Sequence, residues 1–236
     1  MSHFNFKQFT IQQDRCAMKV GTDGVLLGAW APIGHNPFNI LDIGAGTGLL
    51  SLMLAQRSNA EQIDALEIDE AAYEQCVENF EESNWGDRLF CFHAGLDEFM
   101  EEPEDVYDLI VSNPPFYTED YTSGDAQRDM ARFADALPFE DLAEAAGILL
   151  SEDGVLAVIL PFKEEARFVA LAEAEGLYPF KITRVKGTPE SETKRSLMAF
   201  SFDELTPEIT ELVIEIGRHE YTPEYIDLTK DFYLKM

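Results

Sequence analysis

The sequence predicts an α/β fold in which a seven-stranded, mostly parallel sheet ends in an antiparallel hairpin and carries helices on both faces. Three observations predict it. Apolar runs bounded by turn residues alternate with amphipathic stretches through most of the chain, the pattern of β-α-β units. An apolar strand at 39–43 runs straight into a glycine-rich turn and then a helix. The last two strand segments are joined by Gly187-Thr188-Pro189-Glu190-Ser191, too short to carry a crossover helix, so they must pair antiparallel.

Taken in order, residues 1–38 precede the first strand and contain an amphipathic helix at about 23–30, with Asp23 ahead of an apolar run. Strands are expected at 39–43, 63–67, 89–93, 109–112, 155–160, 178–186 and 196–202. Helices are expected at 49–57, 70–83, 140–150 and 164–175, the last closed by Gly176 in the left-handed position that ends a helix. Beyond Phe202, residues 212–216 read as a further strand segment and 223–234 as a helix. The organisation expected is one domain over 1–236: a covering region at 1–38, a Rossmann-like core at 39–202 and an extension at 203–236. No internal repeat or low-complexity segment interrupts it.

Composition bounds the function. No stretch approaches the roughly 20 apolar residues of a membrane span, and the first residues lack the pattern of a secretory signal, so a cytoplasmic location is expected. Cys16, Cys76 and Cys91 are odd in number and far apart, and no histidine stands at metal-ligand spacing to them. A disulfide framework or structural metal is therefore not expected. The charge is 17 basic against 45 acidic residues, net −28, so any nucleic-acid partner must be met by a local basic surface.

The clearest motif is Leu41-Asp42-Ile43-Gly44-Ala45-Gly46-Thr47-Gly48. Glycines there permit positive φ and close ligand approach, and free N–H groups at the following helix favour electron-rich ligand atoms. The spacing is Gly-x-Gly-x-Gly, unlike the pyrophosphate-binding Gly-x-Gly-x-x-Gly, and an acid stands directly before it. Asp42 suits the cationic amino-acid end of S-adenosylmethionine better than a dianionic pyrophosphate; the competing reading is a helix cap. Glu67 ends the second strand 19 residues after Gly48, where a carboxylate accepts hydrogen bonds from ribose hydroxyls; otherwise it is an exposed loop acid. Asp69 reads as the cap of the next helix. A parallel sheet with an antiparallel terminal hairpin, joined to this turn, points to the class I methyltransferase version of the fold. Such enzymes present an acid to the adenine after the third strand; here Gly95 takes that place, and Asp97, two residues on, reads equally as adenine contact or helix cap.

The fourth strand leads into Asn113-Pro114-Pro115-Phe116. Consecutive prolines stiffen the turn and fix Asn113 and the Pro114 carbonyl as acceptors. An exocyclic or amide nitrogen is a poor nucleophile because its lone pair is delocalised. Two acceptors holding its two hydrogens favour the geometry in which the lone pair faces a sulfonium methyl, while Phe116 offers a stacking face. Set against this is a plain rigid turn with Phe116 in the core.

From Lys19 to Phe202 the chain resembles the bacterial tRNA1(Val) adenine-37 N6-methyltransferases. The likeness rests on Lys19-Val20-Gly21-Thr22-Asp23-Gly24-Val25-Leu26-Leu27-Gly28-Ala29-Trp30, on the two motifs above, and on Gln127-Arg128-Asp129-Met130-Ala131-Arg132-Phe133. It implies S-adenosylmethionine as cofactor, the anticodon stem-loop of a tRNA as partner, and Thr22 and Asp23 as contacts to the methionine end. Arg128 and Arg132 share a helical face suited to phosphates unless Asp125, Asp129 and Asp135 neutralise them. Lys181, Arg184, Lys186, Lys194 and Arg195 concentrate five cations around the terminal hairpin, the preferred RNA footprint. Glutamine-side-chain and guanine-N2 methyltransfer use the same acceptor logic and stay open. An NAD-binding oxidoreductase or a non-catalytic nucleotide module shares the glycine turn but leaves Asn113-Pro114-Pro115-Phe116 unexplained.

Overall fold

The computed structural model describes residues 3–16, 18–101, 106–115 and 137–236. The central sheet has eight strands: β3 (Asn39–Ile43), β4 (Gln62–Glu67), β5 (Leu89–His93), β6 (Tyr107–Ser112), β7 (Leu150–Pro161), β8 (Tyr178–Lys186), β9 (Thr193–Ser201) and β10 (Glu208–Val213). Their order is β10-β8-β9-β7-β6-β3-β4-β5. β5, β4, β3, β6 and β7 are parallel neighbours; β9 is antiparallel to both β7 and β8, as the short 187–191 loop requires. The eighth strand is the difference from the seven expected. Glu208–Val213 adds to β8 in parallel, four residues ahead of the segment read from the sequence. It is an edge strand with only Leu212 buried, and Glu208 and Glu211, three residues apart, leave an exposed acid on each face.

Strands buried on both faces alternate their side chains between two cores. On one side Ile40, Leu109, Val111 and Ala157 meet α1 (Thr22–Trp30), α2 (Leu49–Arg57) and α3 (Glu70–Glu81). On the other, Leu41, Ile43, Ile110 and Leu156 meet α5 (Phe139–Leu149) and α6 (Glu165–Ala174), with the short α4 (Leu96–Met100) beside them. α1 is buried from Gly24 to Trp30 and crosses α2 closely. A Cβ on Gly24 would lie 2.9 Å from Leu49 Cδ2, and one on Gly28 2.6 Å from Met53 Sδ. Arg57 closes α1, donating to the Gly28 and Ala31 carbonyls at 2.8 and 3.0 Å, a cation at the negative helix end. Burial lowers its pKa to about 10.

Two small hairpins escape sequence reading. One is formed by β1 (His3–Asn5) and β2 (Thr10–Gln12), the other by β11 (Glu215–Gly217) and β12 (Glu220–Tyr221), just before α7 (Pro223–Thr229). The chain ends join: Phe6 bridges to Tyr233, and Lys7 N donates to the Phe232 carbonyl at 2.9 Å. No helix among the described residues is long and apolar enough to cross a membrane.

Candidate active site

The glycine turn leaves β3 with Gly44, Gly46 and Gly48 at φ of +75, +58 and +79. Leu66 O accepts from Gly44 N and Ala45 N at 3.0 and 2.9 Å, pinning the turn to the end of β4. A Cβ on Gly44 or Gly46 would meet nothing within 4 Å, so the bare backbone faces open space that a ligand can enter. A Cβ on Gly48 would instead lie 2.4 Å from Phe80 and 2.8 Å from Cys76 Sγ, because this glycine seats the turn on α3.

The two carboxylates of this half are placed differently from one another. Strand alternation turns Asp42 to the side of Ile40, beneath α2, where it is fully buried. Its Oδ2 accepts from Ser51 N at 3.1 Å and Ser51 Oγ at 2.7 Å, satisfying one of the orphan donors of the first turn of α2. Its Oδ1 is buried with no hydrogen-bond partner among the described residues. The helix-cap contact is therefore real, and the second oxygen remains for a donor. Glu67 spans the turn: Oε2 accepts from Gly46 N at 2.7 Å and Oε1 from Asp69 N at 2.8 Å. Asp69 caps α3 through Ala72 N at 2.8 Å, as its position predicts. Bare glycine backbone, Glu67 across the turn and an unpartnered buried carboxylate oxygen together fit a nucleoside carrying a cationic amino-acid arm.

Burial, opposed by the two Ser51 bonds, raises the Asp42 pKa to about 7. The folded protein then holds a proton that the unfolded chain has already released. Stability contributed by this group is full below the ordinary carboxylate pKa and declines from about pH 4 to about pH 7, by up to about 1.4 kcal/mol per unit. Urea midpoints taken across that range are expected to show this decline in the wild type and to lose it in Asp42→Asn; the same slope in both proteins contradicts the assignment.

The second half of the site lies on the adjoining strand. β6 pairs with β3 in parallel with Val111 opposite Asp42, so the turns that begin at Gly44 and at Asn113 leave neighbouring strands at the same end of the sheet. Ser112 Oγ locks the junction, donating to Ile43 O at 2.8 Å. Asn113 is half-buried and Pro114 buried. The Asn113 amide nitrogen stands 3.8 Å from where a Cβ on Gly24 would lie, so a third element, the start of α1, abuts both halves. Phe116, Arg128 and Arg132 lie outside the described residues.

Of the other predicted residues, some are engaged elsewhere and some stand exposed. Thr22 is the exposed first residue of α1, whose N-cap is Gly21, so Asp23 does not cap it. Asp23 Oδ2 instead accepts from Arg195 Nε at 2.7 Å, tying α1 to the start of β9. Asp97 is exposed inside the first turn of α4, capped by Gly95, so the cap reading of Asp97 fails too. Of the hairpin cations, Arg184 grips Glu165 at 2.7 Å and Lys186 meets Glu211 at 2.7 Å. Lys181 lies 4.5 Å over the Trp30 ring, and burial lowers its pKa. Lys194 is exposed with no acidic partner among the described residues. The hairpin is thus largely charge-compensated, not an open basic face.

Two contributors to the site are not visible in the sequence motifs. Asn79 Oδ1 accepts from Gln12 N at 2.8 Å, while its Nδ2 donates to Gln12 O at 3.1 Å and to Thr47 O at 2.9 Å, joining β2, α3 and the glycine turn. Its one signal is an amide on the apolar face of α3, one turn from Gln75 and beside Cys76 and Phe80. Ser51 carries no signal apart from its place three residues into a helix start.

Residues 32–161 match the family model for the methyltransferase small domain. A protein of Flavobacterium johnsoniae named tRNA1(Val) (adenine(37)-N6)-methyltransferase is 76% identical over 99% of this chain and 100% of its own. One so named from Flavobacterium psychrophilum is 70% identical over the same shares. One from Bacteroides fragilis is 45% identical over 99% of this chain and 98% of its own. Among solved structures, a predicted O-methyltransferase of Agrobacterium tumefaciens superposes with a TM-score of 0.68 at 20% identity, covering 89% of this chain and 96% of that one, which shows the shared fold.

Proposed function

The chain belongs to the tRNA1(Val) (adenine(37)-N6)-methyltransferase family, and on that footing we propose that it methylates N6 of adenine 37 in the anticodon loop of tRNA1(Val), with Asn113 and Pro114 holding the acceptor amine. The observation that carries the reading is the meeting of the glycine turn and the Asn113 turn at the carboxyl ends of the neighbouring strands β3 and β6. When bound, S-adenosylmethionine supplies an electrophilic methyl group. Gly44 and Gly46 offer backbone for close approach, Glu67 is positioned to accept from ribose hydroxyls, and Asp42 Oδ1 is the remaining acceptor beneath the turn. The Asn113 side-chain oxygen and the Pro114 carbonyl accept the two amine hydrogens. These fixed dipoles orient the lone pair and stabilise the positive charge that develops on nitrogen. Phe116, two residues beyond Pro114 and outside the described residues, is assigned the stacking of the flipped base on its residue type alone.

A net charge of −28 is compatible with RNA because uncompensated cations gather at one edge. Pro161 pairs with Arg195, so Lys163 just beyond β7 and Lys194 at the start of β9 flank the same strand ends. The Asp23–Arg195 pair brings the start of α1 there, with Lys19 three residues ahead of Thr22. Lys19, Lys163 and Lys194 are exposed and have no acidic partner among the described residues, and they are assigned to phosphate contacts. The direct test is transfer of a tritiated methyl group to total tRNA, ribosomal RNA and cell protein, followed by nucleoside analysis. N6-methyladenosine in tRNA is expected; label confined to protein, or to guanosine, overturns the reading.

A further inference from the structure

The extension after β9 has no part in the site so far, and the first hairpin only buttresses the glycine turn through Asn79, yet together they wall a cleft beside it. The cleft has a volume of about 570 Å³ and runs between the Phe4 strand, the Gly21–Thr22 entry to α1, and the 214–236 segment. Its aromatic wall is Phe4, Tyr221, Tyr225 and Tyr233, and Lys235 lies on its rim. Tyr225 is only 3% exposed and packs at 5.3 Å from Tyr221, whereas Tyr221 and Tyr233 are half-buried and line the opening. The Tyr225 and Tyr233 hydroxyls hydrogen-bond one another, and burial pushes both up from the ordinary phenol pKa, so the wall is neutral. Thr222 caps α7 through Tyr225 N at 3.2 Å and also donates to Val213 O at 2.5 Å, so this wall is held to the sheet edge through β10.

Position gives the cleft its meaning. Gly21 and Thr22 line it, and Gly24, whose Cβ would stand 3.8 Å from the Asn113 amide, is less than one helical turn further along α1. One turn advances about 5.4 Å, so the cleft opens within reach of the nucleotide next to the one held at Asn113. A neutral aromatic wall with a cation at the rim is the chemistry that takes an unpaired base and its phosphate: stacking is tolerant of base identity, and the ammonium supplies the backbone contact.

We propose that this cleft binds a second unpaired nucleotide of the anticodon loop, flanking the target adenine, with its base stacked on Tyr221 and its phosphate met by Lys235. The inference rests on the tRNA reading above and gives residues 203–236 a role in seating that substrate. Glu215, which also lines the cleft, stands where it can accept from an exocyclic amine.

The test uses the full chain and an anticodon stem-loop oligoribonucleotide. Tyr221→Ala is expected to raise KM for this RNA about tenfold, with kcat and calorimetric S-adenosylmethionine affinity unchanged, and Tyr221→Phe to restore it. An abasic nucleotide at one loop position beside the target is expected to impose the same penalty on the wild type and none on Tyr221→Ala. Lys235→Glu, at an exposed position, gives a second reading that does not depend on repacking: KM rises and its salt dependence weakens. If the wild type methylates the RNA while both variants keep its KM, the cleft assignment alone is overturned. If the wild type transfers no methyl group to RNA, the substrate reading falls and the cleft assignment with it.

Discussion

Asn113→Ala is expected to lower kcat for tRNA methylation by about 10²–10³-fold while S-adenosylmethionine affinity stays within about twofold. The side chain stands at the tip of β6, half-buried and beside Gly24, and makes no contact with the Asp42–Ser51 or Glu67–Gly46 hydrogen bonds that order the cofactor half. On the proposed role, its loss removes an acceptor from the amine without disturbing the turn. Asn113→Asp is a useful companion, because it keeps an acceptor of the same shape but brings a charge close to the developing cation. Single-turnover transfer and calorimetry separate the two halves. Equal losses in turnover and cofactor affinity would place Asn113 in the wrong half of the site.

Gly48→Ala is expected to have the largest effect on stability. A left-handed backbone at φ +79 costs a non-glycine residue about 1–2 kcal/mol, and the added methyl at 2.4 Å from Phe80 and 2.8 Å from Cys76 adds an overpacking cost of about 1–3 kcal/mol. Phe80 and Cys76 are 3% and 0% exposed, so neither can swing into solvent to make room. Gly46→Ala, at φ +58 with open space around it, carries only the backbone cost, but its methyl projects into the open space proposed for the cofactor. Urea unfolding should rank Gly48→Ala well below Gly46→Ala in stability. Calorimetry on the folded fraction should show Gly46→Ala losing cofactor affinity. The opposite ranking would mean that the turn does not seat on α3 as described.

Much of this arrangement is legible in the amino-acid sequence alone. The bounds of β3, α2, β5 and β8 follow from apolar or alternating runs stopped by turn residues, and β3, a parallel strand buried at four of its five positions, leaves the most continuous signal. Three-residue strands such as β1 and β2 are too short to show alternation, and edge strand β10 buries a single side chain, so nothing in its pattern marks where it starts. The site is legible in its loops and opaque in its side-chain directions. Asp42 reads as a ligand contact from its place before the turn, yet strand alternation puts it under Ser51 and leaves one oxygen. The hairpin cations read as a free basic surface because their partners are remote: Arg184 finds Glu165 19 residues away and Arg195 finds Asp23 172 residues away. Such pairings depend on which strand becomes the neighbour of which, and that order is a property of the assembled sheet.

The central claim is that a sulfonium donor and a planar nitrogen acceptor meet at the tips of β3 and β6. The most direct measurement is a structure of the protein with S-adenosylhomocysteine and the anticodon stem-loop. The account predicts adenine N6 at about 3 Å from both Asn113 Oδ1 and the Pro114 carbonyl, with the homocysteine arm over Gly44 and Gly46. An adenine bound elsewhere, or an Asn113 side chain turned away from a cofactor that sits on the glycine turn, would contradict it.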